Sequence, residues 1–94
     1  MSSKTKCVEE VNFNRTVGGN IKFLRNLSKL NQSKVGIVLD TTFQQIQKYE
    51  KGVNGLSSRK LKLLANKFNV SMDHIADPMM IAKYKEFNDE HNES

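Results

Sequence analysis

The fold is decided by two neighbouring stretches of the chain, Leu30-Asn31-Gln32-Ser33-Lys34-Val35-Gly36 and Thr41-Thr42-Phe43-Gln44-Gln45-Ile46-Gln47-Lys48-Tyr49-Glu50-Lys51-Gly52. Asn31 and Thr42 are residue types that favour the N-cap of a helix, and Gly52 is the type that favours a helix end. The two stretches therefore predict two short helices in close succession, over residues 32–39 and 43–51.

The second of these helices has two faces of different chemistry. Ile46 and Tyr49 lie three residues apart and can face a core, and Glu50, four residues beyond Ile46, points partly inward. The opposite face carries amides and lysines, which can form hydrogen bonds to base edges in the major groove of DNA. For Phe43, contact with a thymine methyl and packing against Val35 or Val38 are equally open. The candidate base contacts are Phe43, Gln44, Gln47 and Lys48.

The first of the two helices has an alternative interpretation. Residues 35–39, Val-Gly-Ile-Val-Leu, are rich in β-branched side chains, which are frequent in strands. A single strand would have no partner, because nothing else in the chain has a convincing strand pattern. The helix is therefore favoured over the strand.

Apolar spacing predicts further helices on both sides of this pair. Ile21, Leu24 and Leu27 indicate a first helix over 19–28, whereas residues 1–16 lack sustained periodicity and are predicted to be a flexible N-terminal tail. Ser57 or Ser58 is expected to cap a fourth helix, and Ser71 a short fifth one. A sixth segment, about 79–89, carries the one-sided stripe Met80, Tyr84 and Phe87.

Charge is unevenly distributed along the 94 residues, whose net charge is +5. Residues 1–76 contain 13 Lys and Arg against 5 Asp and Glu, whereas residues 77–94 contain 2 against 5. A basic body suits a polyanion, because Lys and Arg that bind phosphates release counterions. The length suggests one domain, so the predicted organisation is a tail over 1–16, a domain over 17–76 and a C-terminal helix with an acidic tail over 77–94.

Several classes of chemistry find no support in the sequence. The single cysteine, Cys7, cannot form an intramolecular disulfide, and His74 and His91 lack Cys or Glu at metal-ligand spacing. There is no glycine-rich phosphate loop and no nucleophile–base motif, so we expect no enzyme activity, no metal and no cofactor. No apolar run resembles a signal peptide or a membrane span, which favours a soluble, cytoplasmic protein without a membrane partner.

Residues 17–76 resemble the phage-repressor/Cro (XRE-type) helix-turn-helix family. The resemblance rests on Ile21-x-x-Leu24-Arg25, Leu30-Asn31-Gln32, Gly36, Thr42-x-x-x-Ile46-x-x-x-Glu50-x-Gly52 and Leu61-x-x-Leu64-Ala65-x-x-Phe68-Asn69-Val70-Ser71-x-x-x-Ile75. It implies an all-α, five-helix, lambda-repressor-like domain, here with an additional C-terminal helix. It also implies a structural ion pair between Arg25 and Glu50, and a close approach of helices at Gly36. Lys29 and Asp40 depart from the family pattern, because glycine is common at both positions.

The resemblance implies a sequence-specific regulator of transcription, a repressor that binds a palindromic operator in double-stranded DNA as a homodimer. An antitoxin-like or adaptor protein, which would bind a protein partner through its C-terminal tail, is the alternative. Met80, Tyr84 and Phe87 are dimer-interface candidates, with packing back onto the domain equally open. Phosphate contacts are expected from Asn31, Gln32, Thr42, Lys51, Asn54 and Arg59.

Overall fold

The all-α prediction is confirmed by a computed structural model of the chain. The structure describes residues 8–92, with side chains described for 8–87, so Cys7 and the first part of the predicted tail lie outside it. Within this part the chain forms six helices and no strand, which are α1 Val8–Leu27, α2 Gln32–Leu39, α3 Phe43–Glu50, α4 Ser58–Phe68, α5 Met72–Ala76 and α6 Met80–Asn92. None of the helices in the described part is both long enough and apolar enough to cross a membrane.

Side-chain caps set the starts of α2 and α3 where the sequence predicts them. The Asn31 side chain accepts a hydrogen bond from the Lys34 backbone N–H at 2.8 Å, and the Thr42 hydroxyl accepts one from the Gln45 N–H at 3.2 Å. Each cap satisfies a backbone donor that has no partner inside its helix. The predicted bounds of α2 are confirmed, and the strand alternative for residues 35–39 is wrong.

The turn between α2 and α3 depends on two residues with unusual backbone requirements. A Cβ atom on Gly36 would lie 2.7 Å from the Thr41 carbonyl oxygen, so only glycine lets the chain fold back this closely. Asp40 ends α2 in the left-handed region, with φ of 55°. Aspartate tolerates that region better than most residues, which explains how the turn forms without glycine at position 40. The close approach expected at Gly36 is therefore made to the turn that precedes α3.

The predicted start of the first helix is wrong. Helix α1 begins at Val8 and not near Gly19, so residues 8–16, predicted to be part of a tail, are helical. The apolar pattern does not reveal this extension, because part of its buried surface comes from Asn14, which is 7% exposed. A Cβ on Gly55 would lie 2.7 Å from the Asn14 side-chain oxygen, so the extension packs against the loop that follows α3.

Helix α1 also lies directly against the end of α3. A Cβ on Gly18 would lie 2.1 Å from the Tyr49 carbonyl oxygen and 2.9 Å from that of Glu50. The absence of a side chain at position 18 thus allows backbone to approach backbone. This contact fixes the C-terminal end of α3 against the longest helix of the fold.

One core joins the six helices. It contains Val17, Ile21 and Leu24 of α1, Val35 and Leu39 of α2, Ile46 and Tyr49 of α3, Leu64 and Ala65 of α4, Ile75 of α5 and Met80 of α6. Helix α1 packs on α3 and α5, and α4 packs on α2 and α5. The first turn of α6 belongs to this core, because Met80 is only 2% exposed. The assignment of Met80 to a dimer interface is therefore wrong, since burial in its own domain occupies the side chain.

A buried amide fixes the junction between α5 and α6. The Asn20 side-chain N–H groups donate to the carbonyl oxygens of Ile75 at 2.7 Å and Asp77 at 2.9 Å. The Met79 backbone N–H donates to the Asp77 carboxylate at 2.8 Å. This bond and the Lys83 ammonium lower the pKa of Asp77 from its ordinary value. Polar contacts thus hold the segment that leads into α6.

Adjacent glycines in α1 provide a matched test of the close approach. We expect Gly18→Ala to lower the free energy of unfolding by about 2–3 kcal/mol, because the new methyl group would overlap backbone that cannot rotate away. A Cβ on Gly19 would meet nothing within 4 Å. Gly19→Ala should therefore raise stability by about 0.5–1 kcal/mol through helix propensity. Urea unfolding of both variants measures the difference, and equal effects would contradict the packing of α1 on α3.

Candidate nucleic-acid interface

Helix α3 divides its residues between the protein interior and its surface. Ile46 and Tyr49 are buried, and the Glu50 side chain is only 3% exposed. Gln44 and Lys48 are exposed, Gln47 is half-buried and Phe43 is 44% exposed. The helix thus presents amide, ammonium and aromatic groups outward from a face that the core holds in place.

The inner face is fixed by a bidentate ion pair. The Arg25 guanidinium donates to the Glu50 carboxylate through Nε at 2.6 Å and through Nη2 at 3.1 Å. Its Nη1 donates to the Leu30 carbonyl oxygen at 3.0 Å. The pair implied by the resemblance therefore forms in the structure. One side chain of α1 binds both the end of α3 and the loop that leads into α2.

Gln32 completes this arrangement from the start of α2. Its side-chain Nε2 donates to the Glu50 carboxylate at 3.1 Å. Glu50 consequently accepts hydrogen bonds from two elements, α1 and α2, besides being part of α3. Such bonds offset the cost of removing a carboxylate from water. This bond holds the Gln32 side-chain amide against Glu50.

A small surface pocket lies above this buried pair. It has a volume of about 130 Å³ and is lined by Lys22, Gln32, Gln47, Glu50 and Lys51. It brings together three predicted DNA-contact residues, Gln32, Gln47 and Lys51. Lys22 was missed by the sequence analysis, although its spacing three residues before Arg25 places both side chains on one side of α1. Two lysines and two amides at one opening provide donors for an anion.

The other predicted phosphate contacts lie outside this pocket. Asn31 and Thr42 are exposed N-cap residues at the starts of α2 and α3. Asn54 is half-buried in the loop after α3, and Arg59 is exposed in the first turn of α4. The structure therefore distributes these candidates over three successive helix starts or loops and does not gather them into one cluster.

Helices α2, α3 and α4 share an electrostatic feature at their N-terminal ends. Their first turns contain no acidic residue, whereas α1 carries Glu9 and Glu10 and α5 carries Asp73. Acidic side chains normally stabilise the positive end of the helix dipole. The neutral side chains of Asn31, Thr42 and Ser57 cap these three helices, so their first turns carry no negative charge. Helix α6 likewise has no acidic residue in its first turn.

The predicted dimer-interface residues separate in the structure. Met80 is buried, as described above, whereas Tyr84 and Phe87 of α6 are exposed, Phe87 by 59%. The Tyr84 ring makes an edge-on contact with Phe23 of α1, with ring centres 5.1 Å apart. Tyr84 thus contacts its own domain through this ring pair, and 41% of its surface is exposed.

Two adjacent helices joined by a tight turn, with the second exposed along its polar face, define a helix-turn-helix fold. The model of the helix-turn-helix family matches residues 21–75, which cover α2 to α4, most of α5 and the last third of α1. The chain belongs to the helix-turn-helix family, of the XRE type.

Curated relatives carry the same segment. An uncharacterized HTH-type transcriptional regulator of Sinorhizobium medicae is 43% identical over 54 residues, which are 57% of this chain and 39% of the relative. A protein of the same description from Rickettsia conorii is 36% identical over 58 residues, 62% of this chain and 46% of the relative. The matched segment thus spans less than half the length of these relatives. No solved structure matches the chain significantly.

Because of the buried ion pair, we expect the free energy of unfolding to differ strongly between two variants that each lose one charged side chain. We expect Glu50→Gln to lower the free energy of unfolding by about 3 kcal/mol, because it leaves the Arg25 charge, 11% exposed, without its counter-ion. Lys83→Ala removes the exposed pair with Asp77 and should cost about 0–1 kcal/mol. Chemical denaturation of the two variants provides the comparison, and similar losses would contradict the anchoring role of Glu50.

Proposed function

We propose that the chain is a sequence-specific DNA-binding regulator of transcription that acts on double-stranded DNA. The observation that carries this proposal is the outer face of α3, where Gln44 and Lys48 are exposed while Arg25 and Gln32 fix the buried end of the same helix. A rigidly held helix with outward amide and ammonium groups suits the major groove, where these groups recognise base edges. Membership of the helix-turn-helix family supports the same conclusion.

Base recognition is assigned to the side chains on that face. Gln44 can bind N6 and N7 of adenine together, and Lys48, one turn later, can donate to O6 and N7 of guanine. Gln47 is half-buried at the edge of the face, where the pocket described above begins. Phe43 presents an apolar ring that suits the methyl group of thymine.

Backbone contacts are assigned to the acid-free starts of α2, α3 and α4. DNA phosphates there would meet backbone N–H groups and the positive ends of helix dipoles. The cations Lys51 and Arg59 and the polar side chains of Asn31, Gln32, Thr42 and Asn54 lie on or near these elements. We add Lys22 to this set, because it shares the pocket with Gln32 and Lys51.

We further propose that the protein is a repressor that binds a palindromic operator as a homodimer. One helix reads only a few base pairs, whereas two modules about one DNA turn apart read a longer, symmetric site. Occupation of such a site excludes RNA polymerase. The exposed aromatic surface of Tyr84 and Phe87 on α6 is the proposed contact between the two copies, without the buried Met80.

The division between base and phosphate contacts can be tested on DNA selected from a random pool. We expect Gln44→Ala to lose about 1–3 kcal/mol of discrimination at one operator position. Arg59→Ala should weaken binding to all sequences equally and reduce the salt dependence by about one phosphate contact. Binding isotherms on matched and singly substituted duplexes give both quantities.

Two outcomes would contradict these assignments. Sequence-independent losses from both variants would remove Gln44 from base recognition. If the protein enriched no DNA and copurified with a stoichiometric protein, the antitoxin-like or adaptor alternative would be favoured over the DNA-binding regulator.

The dimer surface can be tested through a charged substitution. We expect Phe87→Glu to convert a dimer into a monomer, because two copies would bury like charges at the contact. Ile37→Glu is the control, since Ile37 is an apolar residue 77% exposed on a different helix, and its change should leave the mass unaltered. Light scattering of the full chain measures both masses. A Phe87→Glu variant with the mass of the parent protein would reject α6 as the interface.

A further inference from the structure

An open, mostly apolar groove runs along the N-terminal half of α1. It has a volume of about 340 Å³, and it lies between α1 and the segment that joins α5 to α6. Its lining residues are Glu9, Asn12, Phe13, Thr16, Ala76 and Pro78. Helices α2, α3 and α4, which carry most of the proposed DNA contacts, contribute none of them. The groove therefore belongs to a different surface from the base-reading face of α3.

The groove continues a stripe of residues on one side of α1. Positions 9, 13, 16, 20, 23 and 27 follow one another at alternating intervals of four and three, so they share a helix face. In the second half of the stripe, Asn20 donates to backbone carbonyls at the α5–α6 junction, and Phe23 contacts Tyr84 of α6. In the first half, Phe13 is 50% exposed. The chain thus covers the second half of this face with its own α6 and leaves the first half accessible.

Helix α6 shows within one chain which side chains suit this face of α1. The Tyr84 ring packs edge-on against Phe23, with ring centres 5.1 Å apart. Aromatic pairs of this geometry are favourable beyond the area that they bury. Phe13 offers the same type of ring in the accessible half of the stripe, and Phe87 of α6 is 59% exposed. A second α6 therefore has the aromatic groups that the groove can bind.

The charges of the two surfaces are opposite. The groove is lined by Glu9, and the exposed Glu10 follows it. On α6, the exposed residues Lys83 and Lys85 lie on either side of Tyr84 in the sequence. Lys83 pairs with an aspartate of its own chain but stays 69% exposed, and Lys85 and Glu9 belong to neither ion pair of the described residues. Two α6 helices side by side would bring these lysines together, whereas the groove brings an acid to them.

We propose that the groove binds α6 of a second copy of this chain, with the exposed aromatic side chains of that helix beside Phe13. In a two-fold dimer this contact forms twice, because each copy supplies one α6 and one groove. The inference rests on the proposed homodimer and names the surface that α6 meets in it. Both surfaces lie outside α2, α3 and α4, so the dimer leaves the outer face of α3 accessible to DNA.

The test measures the dissociation constant of the dimer of the full chain by sedimentation equilibrium. We expect Phe13→Lys to weaken dimerisation at least about tenfold, because the new ammonium would meet Lys83 and Lys85 in place of an apolar ring. Asn12→Lys, which keeps the ring of Phe13, should weaken it about threefold. Asn26→Lys is the matched control, because Asn26 is an exposed residue of the same helix outside the groove. It should leave the dissociation constant unchanged.

A mixture of two variants distinguishes the reciprocal contact from a contact between two α6 helices. Phe87→Glu places a carboxylate beside Glu9, so this variant alone should also be monomeric. When it is mixed with Phe13→Lys, a mixed dimer has one unaltered contact and one contact that joins the two introduced charges of opposite sign. We therefore expect the mixture to dimerise within about threefold of the parent protein, at a concentration where each variant alone is monomeric. Thermal unfolding followed by circular dichroism verifies that each variant is folded.

The outcomes separate this inference from the proposed homodimer. A parental dissociation constant in Phe13→Lys and Asn12→Lys, with Phe87→Glu monomeric, would overturn the groove as the binding surface while the dimer through α6 stands. A mixture that stays monomeric, although both variants are folded, would overturn the reciprocal contact in the same way. If Phe13→Lys lost a bound protein of another sequence without a change in the dimer, the groove would belong to that protein. A parent protein that is monomeric at all concentrations would overturn both proposals.

Discussion

The carboxylate of Glu50 is the point on which the arrangement of the first three helices depends. It accepts hydrogen bonds from Arg25 of α1 and Gln32 of α2, and Arg25 also binds the loop between these helices. Helices α2 and α3 have eight residues each, a length at which isolated helices are marginal in water. Their stability must therefore come from tertiary contacts. The bonds to Glu50 are among these contacts, and they join α3 to α1 and α2.

Glycine contacts complement the ion pair at the same end of α3. Gly18 lets α1 approach the carbonyl groups of Tyr49 and Glu50, and Gly52, with φ of 77°, turns the chain away immediately afterwards. The ion pair supplies specific polar bonds, and the glycines supply the space in which those bonds can form. Together they restrain the buried end of α3, while its amide-bearing side remains in solvent.

The sequence predicts the elements whose signals are local. Asn31 and Thr42 are recognisable caps, so the starts of α2 and α3 are predicted correctly. The start of α1 is not predicted correctly. Asn14 and Gly18 are buried through close contacts with distant backbone, and such contacts do not produce a periodic pattern of apolar residues in the sequence. The prediction that Met80 lies in a dimer interface is wrong for a related reason. Its spacing with Tyr84 and Phe87 is regular, but α6 is oriented so that only Met80 enters the core.

In the candidate site, too, some features follow from local sequence signals and others depend on contacts between distant parts of the chain. Exposure of Gln44 and Lys48 follows from their spacing relative to Ile46 and Tyr49, which a helical pattern makes visible. The place of Lys22 in the pocket depends on helices that meet only in the folded chain. Residue type alone does not distinguish this lysine from the others of a basic protein.

The two faces of α3 have a consequence for how such a protein changes over generations. The residues that hold the helix, among them Ile46 and Glu50, are different from those that project outward, such as Gln44 and Lys48. Substitution on the outer face therefore leaves the free energy of folding nearly unaltered. A duplicated copy of the chain can therefore accumulate substitutions at these outward positions while it stays folded. Single substitutions there can give new binding preferences.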